Sequence, residues 1–134
     1  VIVFIDSNIP MYVAGREHPH CQPSQRFLAA VQRNEIEGCT SAEVLQEILY
    51  RYSALQRLDL AREVYDLFVR ICPRVFDVTL ADTSRARDLL LNGRGLSARD
   101  ALHAAVMLNH GVEWIATFDA GFDQVSGVRR FALE

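Results

Sequence analysis

The sequence predicts an α/β fold, a three-layer sandwich with a mainly parallel central sheet, and three observations carry that prediction. Val1-Ile-Val-Phe-Ile5 and Glu113-Trp-Ile-Ala-Thr117 are short apolar runs rich in β-branched residues, the form of strands buried on both faces of a parallel sheet. Segments with helical apolar spacing lie between them, and strands alternating with helices of about ten residues or more imply crossover connections. The chain has 134 residues, below the roughly 150 of a typical domain, so residues 1–134 are read as one domain.

Each element has a local cause. The first run stops at Asp6 and is expected to be a central strand. From Pro23 to Glu35, Phe27, Leu28 and Val31 follow helical spacing, with Ile36 just beyond, and Pro23 suits a first helical turn. Gly38 to Ser41 breaks that pattern, and Thr40 with Glu43 three residues later has the form of a capping box opening a helix to about Leu55. Leu58 to Ile71 repeats the amphipathic pattern through Leu60, Ala61, Val64, Leu67 and Phe68, and Pro73 ends it. The short join between these two helices predicts an antiparallel pair. Arg74 to Val78 reads as a short strand, followed by a helix over Leu80 to Leu91 that Thr79 caps and Gly93 terminates. Ser97 and Asp100 open a further helix that Gly111 closes, and Val128 to Phe131 is expected to edge the sheet.

Composition removes several classes of function. Half of the residues are hydrophobic and 23% are charged, enough for one real core and unlike a disordered tail. Apolar runs such as Ala101 to Leu108 fall short of the roughly 20 residues of a spanning helix. Val1 to Ile5 enters Asp6 without a basic leader or small-residue cleavage site, so a cytoplasmic protein without a membrane segment is expected. Cys21, Cys39 and Cys72 are odd in number and widely spaced, and read as free thiols. The formal net charge of −3 argues against bulk attraction to a polyanion, which would need a local site. All 14 basic residues are arginine, which excludes any mechanism built on a catalytic or phosphate-binding lysine.

The acids carry the chemistry. Ligands of open parallel sheets bind outside the carboxyl ends of the strands, where Asp6 and Asp119 lie. Asp100 begins the helix leading into the second of these strands, and Glu47 sits beside the apolar stripe of its own helix, near Val44 and Ile48. Four converging carboxylates raise one another's pKa unless a cation neutralises them. Hard oxygen donors select Mg²⁺ or Mn²⁺, and such ions activate water toward a phosphodiester. Each acid also has a plainer reading: Asp100 as a capping-box acid, Glu47 as the partner of Arg51 one turn on, and Asp6 and Asp119 as turn or cap residues.

Taken together, four segments resemble the PIN-domain ribonucleases, most closely the VapC-like toxins of bacterial toxin–antitoxin pairs. They are Val3-Phe-Ile-Asp6-Ser-Asn8, Ser41 through Glu47 with Ile48-Leu49, Leu96-Ser-Ala-Arg-Asp100-Ala-Leu-His-Ala-Ala105, and Ala116-Thr-Phe-Asp119-Ala-Gly-Phe122-Asp123. The resemblance implies that Asp6, Glu47, Asp100 and Asp119 are the catalytic, metal-binding acids, with Ser7, Asn8 and Thr117 in polar support and Asp123 as a candidate fifth acid. Phe118 departs from the family, which often has Asn before the last acid. Gly15 to Pro23 carries no family signature, and His18, His20 and Cys21 within it are read as bystanders.

A metal-dependent endoribonuclease using Mg²⁺ or Mn²⁺ is therefore expected, with Arg94, Arg99 and His103 as candidate substrate contacts and structured or single-stranded RNA, rather than a duplex, as substrate. The resemblance also implies a homodimer and a small antitoxin protein bound near the helix pair 43–71, where Leu45, Leu49, Tyr52, Leu55, Leu58, Val64 and Phe68 either all complete the core or leave a groove for a partner helix. A non-catalytic interaction domain of the same fold is the alternative. An aspartyl-phosphate phosphatase or phosphoacceptor is a weaker one, because it needs a lysine.

Overall fold

A computed structural model describes residues 1–93 and 95–134 of the chain. The element order is β1 (Ile2–Ile5), α1 (Asn8–Ala14), α2 (Cys21–Gln32), β2 (Glu37–Ser41), α3 (Ala42–Ala54), α4 (Leu58–Ile71), β3 (Arg74–Phe76), α5 (Leu80–Asn92), α6 (Ala98–Asn109), β4 (Trp114–Ala116), a short 3-10 helix (Ala120–Gln124) and β5 (Arg129–Arg130). The strands form one sheet in the order β3-β2-β1-β4-β5, and every pairing is parallel. Among the described residues, no helix is long and apolar enough to cross a membrane.

Strand order reverses after β3. Right-handed crossovers then place α1 to α4, which pack on one another, and the α5–α6 pair on opposite faces of the sheet. The result is the three-layer sandwich. Its core centres on β1, where Val3, Phe4 and Ile5 have no exposed surface, and extends through Ile48, Val64 and Phe68 on one side and Met107 on the other. The three cysteines are free thiols; burial pushes Cys39 and Cys72 up to about 12.

Two elements differ from the sequence reading. Gly38 to Ser41 belongs to strand β2, flanked by β1 and β3, where a break was expected. The residues there are small because space is short: a Cβ on Gly38 would come within 2.9 Å of Ile5 Cδ1 and Val31 Cγ1. Thr40 is buried in this strand and its hydroxyl donates to the Ile5 carbonyl at 3.1 Å, so Ser41 caps α3 in its place. The second difference is α1, a 7-residue helix over Asn8–Ala14, where the sequence reading assigned no element. Pro10 fits there because the first turn needs no N–H from it.

Candidate metal centre

The carboxyl ends of β1 and β4 meet where the strand order reverses, and the acids gather there. Asp6 continues the β1 ladder, its N–H donating to Ala116 O at 3.1 Å, and the residue is only 6% exposed. Both oxygens accept: Oδ1 from the Ser7 N–H and Oδ2 from the Thr117 hydroxyl, each at 2.8 Å. Burial raises the Asp6 pKa and the nearby Glu47 adds to it, against His103 and the hydrogen bonds, which lower it. Thr117 also accepts from Asn8 Nδ2 at 3.2 Å and from the Asp119 N–H at 3.1 Å, so one hydroxyl ties β1, α1 and the last acid together.

Glu47 is 7% exposed on the inward face of α3. Its Oε2 accepts from the Ser7 hydroxyl at 3.0 Å and lies 3.8 Å from Arg99 Nε, and its Oε1 contacts His103 Nε2. These residues, and not Arg51, are its polar partners. His103, expected among substrate contacts, has no exposed surface and lies beneath the acids, so the wall of the fold stands between it and solvent. Burial lowers its pKa, but the Glu47 hydrogen bond and the charges of Asp6, Glu47 and Asp100 outweigh that and raise it. The imidazole thus packs, with no exposed surface, against the carboxylates of Glu47 and Asp6. Its signal in the sequence was its place three residues after Asp100, on the same face of α6.

Asp100 separates the two readings offered for it. Ser97 Oγ accepts from the Asp100 N–H at 3.1 Å, yet α6 lacks the return bond, whereas Thr79 and Asp82 on α5 form a complete capping box. The Asp100 carboxyl turns to Asp119. Burial first, then Asp119 and Asp6, push its pKa up to about 7. Asp119 caps the 3-10 helix through a 2.8 Å bond from the Gly121 N–H. Gly121 packs close to both carboxylates: a Cβ there would be crowded at 3.1 Å from Asp119 Oδ1 and in ordinary contact at 3.5 Å with Asp100 Oδ2.

Asp123, the candidate fifth acid, is drawn elsewhere: both of its oxygens pair with Arg130 at 2.8 Å, which holds its pKa below the usual carboxylate range. Arg99 stands exposed at the rim of the cluster, and Arg94 lies outside the described residues. The donors fit a divalent cation. Four carboxylates share the site with one buried imidazole, single oxygens of Asp6 and Glu47 lie with a His103 nitrogen within 4.8 Å of one another, and Asn8 Oδ1 is buried without a partner. In oxygen-rich surroundings such crowding is relieved by a hard cation.

The crowding sets a pH dependence. Over about pH 4 to 7 the folded chain keeps the Asp100 proton that the unfolded chain has released, so metal-free stability falls as pH rises through this window. Asp6 and His103, both raised, act in the same direction. Because Asp100 is only half buried, we expect a net loss on the order of 2 kcal/mol. Thermal melts in EDTA at pH 5 and pH 7.5 check this, and Asp100→Asn should flatten the difference.

A PIN domain family model matches residues 3–128. The chain belongs to the PIN-domain family. Among its relatives, ribonuclease VapC13 of Mycobacterium tuberculosis is 41% identical over 131 residues, which cover 98% of this chain and 100% of that one. The same fold is seen in VapBC2 from Rickettsia felis, solved bound to a promoter DNA fragment, with a TM-score of 0.77, 17% identity and full coverage of both chains. Mycobacterium tuberculosis VapC20 gives a TM-score of 0.74 at 22% identity over 90% of this chain and 91% of that one.

Proposed function

We propose that the protein is an endoribonuclease that depends on Mg²⁺ or Mn²⁺ and serves as the toxin of a toxin–antitoxin pair. The observation that carries this reading is the convergence of Asp6, Glu47, Asp100 and Asp119 at the carboxyl ends of β1 and β4, around a buried His103. The names of the relatives support it: VapC13 is called a ribonuclease, and VapC20 is described as a toxin cleaving the sarcin–ricin loop.

The four carboxylates would hold the cation, which supplies charge neutralisation for the phosphodiester and an activated water. Ser7 and Thr117 aim Glu47 and Asp6 through their hydroxyls. His103 balances the buried negative charge and keeps Glu47 in place. Arg99, at the rim, meets a phosphate of the substrate. RNA with exposed, unpaired nucleotides suits a site this open at its rim.

The antitoxin is placed on the α3–α4 pair. Leu45, Tyr52, Val64 and Phe68 are absorbed by the core, but Leu49, Tyr50, Leu55, Leu58 and Val69 remain exposed, an apolar face for a partner helix. Leu80 and Leu91 on α5 leave a second apolar set for a homodimer. Incubation with single-stranded RNA and with the same sequence in DNA tests the activity: cleavage of RNA alone is expected, and cleavage of neither would end the reading. Leu58→Glu should weaken antitoxin capture by about tenfold or more while leaving RNA cleavage within about twofold, because one buried leucine is worth about 1.5–3 kcal/mol.

A further inference from the structure

The loop between α1 and α2, which carries no family signature, does not hang free. It brings His18 and His20 against Tyr12 of α1 and Phe118, the residue between Thr117 and Asp119. His20 stacks on Phe118 at 3.8 Å with the rings 8° apart, and Tyr12 meets both edge-on, at 5.4 Å from Phe118 and 5.1 Å from His20. His18 lies 4.8 Å from Tyr12 and from His20. Such a cluster would ordinarily complete a core, yet Tyr12, His20 and Phe118 are half-buried and His18 is exposed.

Tyr12 and His18 face a cleft of about 580 Å³ whose wall also carries Arg16, Glu17 and Arg51. A neighbouring cleft of about 500 Å³ opens over Ser7 and Glu47, with Arg99 on its wall, and the two share Met11 and Arg51. The two clefts adjoin at Met11 and Arg51, one lying over Ser7 and Glu47 and the other beside the rings. Among the described residues, neither Arg16 nor Arg51 is held in an ion pair. Going outward from the carboxylates the clefts offer a cation at Arg99, a second at Arg51 and then aromatic faces. A single strand of RNA presents phosphates and bases in the same alternation, and base stacking on aromatic rings is the usual means of gripping it. The cleft has the size of a small-molecule site, enough for one base and its sugar.

We propose that Tyr12 and His18, braced by the His20–Phe118 stack, form a nucleobase subsite in which one unpaired base beside the cleaved bond stacks on Tyr12 while Arg51 meets its phosphate. The proposal rests on the ribonuclease reading and adds to it a specificity element outside the acid cluster. Phe118 has a role in it: it anchors the shelf to the residue before Asp119, which fixes the distance from base to scissile bond.

The test uses a single-stranded RNA oligonucleotide that the wild type cleaves in Mg²⁺, and a series in which each nucleotide near the cleaved bond is made abasic in turn. One abasic position is expected to lower kcat/KM for the wild type by about tenfold or more. Tyr12→Ala should lower it by a similar factor on the intact oligonucleotide and by no further factor at that position, whereas Tyr12→Phe should behave as wild type. If Tyr12→Ala and wild type respond alike to abasic substitution at every position, the subsite is overturned and the cleft is left to a protein segment. If the wild type cleaves no RNA in Mg²⁺ or Mn²⁺, the underlying reading falls, and the subsite with it.

Discussion

Asp119→Asn is expected to lower RNA cleavage by about 10³-fold or more, roughly 4 kcal/mol of transition-state stabilisation, and yet leave the metal-free protein as stable as wild type or more stable. Asp119 lies against Asp100, whose pKa is pushed up to about 7 first by burial and then by Asp119 and Asp6, so part of that rise is the cost of holding the two carboxyls together. Two unit charges about 4 Å apart at an effective dielectric near 20 repel by roughly 4 kcal/mol before relaxation and proton uptake. Most of that is relieved, and a net gain of about 1 kcal/mol remains. The amide keeps the cap, because its oxygen still accepts from the Gly121 N–H. Asp6→Asn should abolish cleavage as well but without the gain, because both Asp6 oxygens accept hydrogen bonds and an amide nitrogen cannot replace one of them. Melts in EDTA and in millimolar Mg²⁺ read both effects: added Mg²⁺ should raise the melting temperature of wild type more than that of either variant.

Glu47→Gln should cost a similar factor in activity with the opposite effect on stability. Glu47 makes the closest carboxylate contact to a histidine with no exposed surface, and removing its charge leaves the imidazole with the more distant Asp6 carboxylate, 3.9 Å away, and the charge of Asp100. Breaking a buried pair on one side is costly, and here we expect a loss of about 2 kcal/mol, softened because neutral His103 remains available. Glu43→Gln, one turn earlier on the same helix, should stay within about 0.5 kcal/mol of wild type and keep most activity, since its side chain makes no hydrogen bond or ion pair among the described residues. Rates and melting temperatures of the two variants, measured side by side, separate the inward face of α3 from its N-terminal turn. Equal losses would put the site on the wrong face.

Elements whose cause is local were legible in the sequence. The β-branched run before Asp6, the amphipathic stripe of α4 and the Ser97 and Thr79 caps each act over a few residues, and the structure places them close to where they were expected. β2 was not legible because its residues are small for a tertiary reason: Val31 of α2 and Ile5 of β1 press on Gly38 from outside the segment. α1 is too short to show a period, and Pro10 reads as a break unless the first turn is already known. Of the acids, strand ends and helix faces gave only the expectation that Asp6, Glu47, Asp100 and Asp119 lie close together, and the family resemblance supplied their roles. Asp123, a candidate fifth acid by sequence, is held instead by Arg130, seven residues away, a pairing that its position after the strand does not reveal. His103 was read as reaching outward because a helix face alone does not tell which histidines have water beyond them.

The central claim is that these carboxylates work only with a divalent cation. The most direct measurement is RNA cleavage by exhaustively chelated protein, with Mn²⁺ or Mg²⁺ then returned in excess over chelator, and Asp119→Asn carried in parallel. The account predicts no cleavage in EDTA, recovery with either ion for the wild type, and none for the variant. Undiminished cleavage by the wild type in excess EDTA would contradict it.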